Sequence, residues 1–207
     1  MKKAYLFLIQ ALMALSLVCA TGCSKGEDDP YGKNVGEDTF ANTSDDDSGT
    51  SDTSGGSFKI GQSYQGGIIF YIDDTGKHGL IVTSEDQSPG MQWYNGSYIA
   101  TGATGTMIGT GKDNTTKIVQ AQGEGNYAAK LCDDLVFNGY SDWYLPSLNE
   151  LSILYLNRDV IGYYTAKYWS SSESDNYNAW YQNFNDGSQG SGNSKSNAFR
   201  VRAVRAF

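Results

Sequence analysis

The 207-residue chain is short of the side chains that most catalytic and disulfide-stapled proteins depend on: it has one histidine, three cysteines and three prolines. With His78 alone, any mechanism or metal site that needs two or three histidines is excluded. Bases are scarce too. Fifteen Lys and Arg face 23 Asp and Glu, for a net charge of −8, and without clustered cations a chain does not neutralise phosphates, so nucleic acid is not an expected partner. No segment recurs at a fixed period, which excludes solenoids and propellers. Glycine (25) and tyrosine (15) are plentiful, and 39% hydrophobic residues are enough to bury a core.

Lys2 and Lys3 precede an apolar run from Ala4 to about Ala20, broken only by Gln10 and Ser16. This is the charged start and short apolar centre of a secretory signal peptide. A membrane span needs roughly 20 unbroken apolar residues. The run ends in Ala20-Thr21-Gly22-Cys23, which resembles a bacterial lipobox and marks Cys23 as the residue that receives a lipid. Residues 1–22 are then the signal peptide. The following Ser24-Lys25-Gly26-Glu27-Asp28-Asp29 resembles the surface-export signal of Bacteroidetes-type lipoproteins, and the expected location is the outer membrane, lipid-anchored and exposed at the cell surface.

From Cys23 to Ser57 the chain is dominated by Ser, Thr, Gly, Asp and Glu, with nine acids against Lys25 and Lys33. Such a segment cannot offset the entropy of ordering and is expected to be a flexible acidic tether. Once its −7 and the +2 of Lys2 and Lys3 are set aside, residues 58–207 carry only −3. The acidity belongs to the tether and implies no cationic substrate.

Residues 58–207 suit one domain. Gly66–Ile72 reads as a buried strand, Asp73–Lys77 as a turn, and Gly79–Thr83 as the hairpin partner. A Gly/Thr-rich loop is expected from Thr101 to Lys112. Ala128, Leu131, Cys132 and Leu135 fall at helical spacing, which predicts an amphipathic helix of about 10 residues ending before Asn138-Gly139. Ser147-Leu148-Asn149-Glu150 is a capping box that starts a second helix, with Leu148, Leu151 and Tyr155 on one face. Strands are expected at Tyr168–Ser171, Ala179–Phe184 and Ala198–Arg205. In the last, Phe199, Val201 and Ala203 share one face while Arg200 and Arg202 take the other. The class is α+β, with two helices and short antiparallel sheets.

Five blocks in order resemble a known family: Gly66–Tyr71, Tyr127–Cys132, Gly139–Ser147, Tyr168–Glu173 and Val201–Arg205. Together they look like the Lcl C-terminal domain, named for a Legionella collagen-like adhesin and formerly a domain of unknown function. The resemblance implies a C-type lectin-like fold, an adhesin-type role with a glycan or protein ligand, and a homotrimer. Family members often close with a cysteine where Ala203 stands. Here Cys132 has no partner once Cys23 is lipidated, so it is expected to be a small buried apolar residue on a helix. The founding adhesin binds sulfated glycans, which call for a basic surface; a domain of −3 does not offer one.

Catalytic patterns are weak. Gly105–Lys112 resembles a phosphate loop, but Thr106 stands where glycine belongs and Asp113 where Ser or Thr belongs. There is no nucleophile elbow. The lectin-like enzyme that makes formylglycine uses a cysteine pair that Cys132 cannot supply. Asn183, Asn185 and Asp186 offer oxygens suited to calcium, at a spacing that matches no EF-hand. No enzyme activity, metal or cofactor is therefore expected.

Among the tryptophans, Trp143 and Trp169 lie in family core blocks, while Trp93 and Trp180 are open to either packing or ligand stacking. Ser174–Asn197 is the most informative stretch: six Asn, five Ser, two Asp, three Gly and two Tyr in 24 residues. Tyrosine among small polar residues is the composition of an adaptable binding surface. Asn codons altered at adenine yield Asp, Ser, Gly and Tyr, which is also the mark of receptor loops randomised by retroelements. A plain Gly/Asn/Ser-rich β-loop has the same composition. The expected ligand-binding residues are Trp93, Tyr177, Trp180, Tyr181, Asn183, Asn185 and Asp186. The other class of function weighed is a structural or assembly component of the envelope that makes protein contacts.

Overall fold

The computed structural model describes residues 57–162 and 165–207. All belong to the second of two units into which the chain divides, Asp52–Phe207. The signal peptide, the lipobox with Cys23, and the acidic segment through Gly56 lie outside the described residues. Among the described residues no helix is long and apolar enough to cross a membrane.

The domain is α+β, as expected. The first sheet has the order β1 (Ser63–Tyr64), β2 (Gly67–Ile72), β3 (Gly79–Val82) and β9 (Val204–Ala206), all antiparallel. Gln65 and Gly66 join β1 to β2 with φ of 43° and 86°, the two positive values that suit a tight hairpin to the strand twist. A Cβ at Gly66 would lie 2.8 Å from the Tyr140 ring. The turn between β2 and β3 is held by Asp73, whose carboxylate accepts from the Thr75 amide at 3.1 Å and hydroxyl at 2.6 Å.

The second sheet has the order β4 (Ser88–Met91), β8 (Phe199–Val201), β5 (Lys167–Glu173), β6 (Asn178–Asn183) and β7 (Gln189–Ser194). Its pairs are antiparallel except β5 with β8, which is parallel at Tyr168–Arg200. The single final strand expected over Ala198–Arg205 is in fact two strands in different sheets. Alternation breaks at Arg202-Ala203: Arg202 is buried, with its Nε 3.3 Å from Asp86, and does not face outward. Ala203 instead accepts from the Thr83 amide.

The helices are α1 (Gly111–Gln122), α2 (Ala128–Asp133), α3 (Leu148–Leu156) and α4 (Arg158–Ile161). The capping box on α3 forms as expected: Glu150 N donates to Ser147 Oγ, and Ser147 N donates to Glu150 Oε2 at 2.7 Å. Leu148, Leu151 and Leu154 bury the inner face. Helix α2 has six residues instead of about ten. After Asp134 the chain turns through Asn138 and Gly139, both at positive φ, to pair Phe137 with Tyr140.

Helix α1 overlaps the expected Thr101–Lys112 loop only at Gly111 and Lys112, and the sequence does not announce it as a helix because its buried face is largely polar. Asn114 exchanges hydrogen bonds with the Gly105 backbone, and Thr115 donates to Gly111 O while accepting from Leu145 N. Satisfied polar groups can be buried without the apolar period that announces a helix.

Ile69 and Phe70 are adjacent on β2 and point to opposite faces. Ile69 joins Ile81, Trp93, Trp143, Trp169 and Val201 in one buried cluster with α1 and α2, while Phe70 joins Val82, Leu151, Leu154 and Phe184 in a second against α3.

Candidate functional site

Three segments converge beyond one end of the second sheet: the chain after β4, the β5–β6 turn and the β7–β8 turn. A buried ion pair ties them together. Lys195 Nζ lies 2.6 Å from Glu173 Oε1, with the two side chains 0% and 3% exposed. Lys195 also donates to Ile99 O and Asn176 O, each at 3.0 Å, so its three N–H bonds all have acceptors. Its ammonium sits 4.6 Å from the centre of the Trp93 ring. The Glu173 carboxylate accepts from Thr101 N at 2.9 Å and from Gly102 N at 3.0 Å. Backbone bonds join the same segments: Trp93 N to Lys195 O, Lys195 N to Tyr177 O, and Glu173 N to Ala103 O.

Tyr94, Tyr98 and Tyr177 form a row on this frame. Ring centroids are 4.7 Å apart for Tyr94 and Tyr98, and 5.3 Å for Tyr98 and Tyr177. Exposure rises outward, from half-buried Tyr94 to 41% for Tyr98 and 62% for Tyr177. Tyr98 Oη lies 2.9 Å from Ser194 Oγ, which is 2.8 Å from Ser196 Oγ. The Ser194 hydroxyl, then those of Ser196 and Tyr94, hold the Tyr98 phenol below its ordinary range.

The three segments contain few charges. Glu173 and Lys195 neutralise each other inside, and Asp175 is the exposed acid. Its Oδ1 accepts from the amides of Tyr177 at 2.7 Å and Asn178 at 2.8 Å. What remains outside is ring faces, hydroxyls and amides.

Of the residues expected from sequence, only Tyr177 lies on this surface. Trp93 is a correction: it is fully buried, its Nε1 donates to Ser170 O at 2.8 Å, and it forms the floor of the frame. Trp180 is half-buried on β6 and belongs to neither core cluster. Tyr181 lies mid-sheet against Phe199, with Lys167 Nζ 4.9 Å from its ring centre.

Asn183, Asn185 and Asp186 occupy the opposite end of the β6–β7 hairpin. At about 3.3 Å per residue, the length of β6 puts roughly 20 Å between that end and Tyr177, so the seven residues do not make one site. The oxygens considered for calcium serve the turn. Asn183 Oδ1 accepts from Asn185 N and Nδ2, and Asp186 Oδ1 accepts from Ser188 N and Oγ. Among the described residues no three His, Cys, Asp or Glu side chains converge as metal ligands.

Sequence reasoning passed over Tyr94 and Tyr98. The same cue that marked Ser174–Asn197 was present there, since Tyr94-Asn95-Gly96-Ser97-Tyr98 sets tyrosine among small polar residues.

The Gly-rich loop before α1 has its own occupant. Glu150 Oε1 accepts from Gly109 N at 2.8 Å, so an internal carboxylate sits where a phosphate loop would hold an anion. Burial pushes the Glu150 carboxyl up. Cys132 is a buried free thiol, and burial pushes it up as well. A groove of about 390 Å³ beside β1, lined by residues 63–68, Ser84 and Asn138, contains no carboxylate, imidazole or amine.

A search of known families matches residues 82–205 to the Lcl C-terminal domain, more than half of the chain. The chain belongs to the Lcl C-terminal domain family. Among solved structures it is similar to a fimbrial protein from Bacteroides ovatus ATCC 8483, at 15% identity and a TM-score of 0.46 over 67% of this chain. It spans 43% of that protein's length. No curated protein matches the chain.

The blocks that suggested the Lcl C-terminal domain mostly build its frame. Trp143 and Trp169 are buried. In the closing Val201–Arg205 block, Arg202 pairs with Asp86 beside Arg200, the residue just before the block, while Arg205 pairs with Asp142 at 2.6 Å. The Tyr168–Glu173 block ends in the acid of the buried pair. The tyrosine surface sits outside all five blocks.

Proposed function

We propose that this protein is a non-enzymatic, adhesin-type lipoprotein of the cell surface, whose acidic tether holds out one C-type lectin-like binding domain. In this reading Cys23 carries the lipid, the anchor lies in the outer membrane, and the domain binds ligand through Tyr94, Tyr98 and Tyr177. Family membership supports the adhesin-type role. The observation that carries the site is the row of three tyrosines, increasingly exposed outward, on loops fixed from beneath. Rigid aromatic side chains supply contact area at low entropic cost, and the surrounding Ser and Asn supply adaptable hydrogen bonds. The surface lacks a free cation, so an uncharged glycan or a protein suits it better than the sulfated glycans of the founding adhesin.

The test is adhesion of cells displaying the full chain to arrayed neutral glycans, sulfated glycans and matrix proteins. The reading expects capture that disappears with Tyr98→Ala/Tyr177→Ala while the protein stays folded. Capture indifferent to that pair refutes the site. Cys23→Ala is expected to abolish labelling by a fatty-acid analogue; persistent labelling refutes the anchor.

A further inference from the structure

We infer that Glu173 and Lys195 are positioning residues for the Tyr94–Tyr98–Tyr177 surface, an inference that rests on the reading of that surface as the binding site. A buried ion pair is weak evidence for stability, because desolvation offsets most of its attraction. Its value here is geometric. Each ion ends in contacts from different segments: the Lys195 ammonium to the carbonyls of Ile99 and Asn176, and the Glu173 carboxylate to the amides of Thr101 and Gly102.

Two of the three tyrosines sit next to these contacts in sequence. Tyr98 adjoins Ile99 and Tyr177 adjoins Asn176, while Ser194, which bonds Tyr98, adjoins Lys195. Fixing those backbone points fixes where the rings stand before ligand arrives, which reduces the ordering cost of binding. The polarity is also set. Carbonyls face the cation and amides face the anion, so the pair fits in one orientation only. The pair also buries Lys195, the cation of the β7–β8 turn, and so keeps positive charge off the surface.

The test compares the full chain with Lys195→Met, Glu173→Gln and the swap Glu173→Lys/Lys195→Glu. Amide exchange is read at Thr101 and Gly102 against Ile69 and Val204 of the first sheet, and the Tyr98–Tyr177 ring contact is read by NMR. Lys195→Met touches neither Thr101 nor Gly102 directly. It is nevertheless expected to speed their exchange about tenfold more than that of Ile69 and Val204, to remove the ring contact, and to lower adhesion as Tyr98→Ala/Tyr177→Ala does. The swap is expected not to rescue, because its charges face the wrong backbone groups.

If Lys195→Met does not fold, Glu173→Gln, which keeps the side-chain shape and one acceptor oxygen, answers the same question. Equal loss of protection at all four amides, or a ring contact that survives in both single variants, overturns the inference. Loss of the contact with adhesion unchanged sustains the positioning role and refutes the surface reading instead.

Discussion

Trp93 and Tyr177 carry the same expectation from sequence, and the structure assigns them opposite fates. Trp93→Ala removes a fully buried indole. Trp-to-Ala changes in cores cost about 3–5 kcal/mol, and the Nε1–Ser170 bond adds about 1 kcal/mol, for a loss of roughly 4–6 kcal/mol. At about 2–4 °C per kcal/mol for a domain of this size, the unfolding midpoint should fall by roughly 10–20 °C. Against a typical stability of about 5–15 kcal/mol, part of the population unfolds at growth temperature. Tyr177→Ala removes a ring that is 62% exposed, and its cost is at most about 1 kcal/mol of stacking on Tyr98. Thermal unfolding followed by far-UV circular dichroism separates the two. A Trp93→Ala midpoint within about 2 °C of the parent would refute the burial of Trp93 and the frame built on it.

Gly190 and Gly192 sit two residues apart on β7 and should respond differently. A Cβ at Gly190 meets the Tyr181 ring at 2.5 Å, while at Gly192 nothing lies within 4 Å. Gly190→Ala is expected to destabilise by about 1–3 kcal/mol and Gly192→Ala to be neutral, as measured by urea denaturation; equal effects refute the close approach. The Asp175 and Asp186 carboxyls are held below their ordinary 3.8, first by the Asn178 amide and the Ser188 hydroxyl respectively. Lowered folded values stabilise the protein above the unfolded value, and that contribution is lost as pH falls through the folded value. Exchange at Tyr177, Asn178 and Ser188, corrected for intrinsic rates, should therefore rise below about pH 4 before core amides respond; a uniform response refutes the assignment. Cys132, buried and held as the thiol, should resist a thiol reagent in the native protein and react in denaturant, and rapid native labelling contradicts its placement.

What could be read from sequence followed from local chemistry. The capping box at Ser147–Glu150 specifies its own hydrogen bonds, and the β2–β3 hairpin is announced by apolar runs around a polar turn, so both lie where the residues placed them. Helix α1 escaped because Asn114 and Thr115 are buried through hydrogen bonds formed with Gly105 and Leu145, partners that only the tertiary fold supplies. From sequence the final strand reads as one because alternation holds as far as Val201, and the turn of Arg202 inward toward Asp86 depends on a residue more than a hundred positions away.

The tyrosine surface was half legible. Composition pointed to Ser174–Asn197, yet Asn183, Asn185 and Asp186 spend their polar groups on a turn, and Lys195 spends its charge on Glu173. Composition does not distinguish a residue that builds a loop from one that the loop displays. Tyr94 and Tyr98 come from another segment, and only the tertiary fold, through the ion pair and the backbone bonds beside it, brings the two segments together.

The account stands most directly on whether the tyrosine row is where ligand binds. Cells displaying the full chain, with Tyr98→Ala/Tyr177→Ala at one end of the β6–β7 hairpin and Asn185→Ala/Asp186→Ala at the other, would be scored for adhesion to the same array of glycans and matrix proteins. The account predicts that the tyrosine pair abolishes capture and the turn pair leaves it intact. Capture that survives loss of the tyrosines and fails with the turn would contradict it.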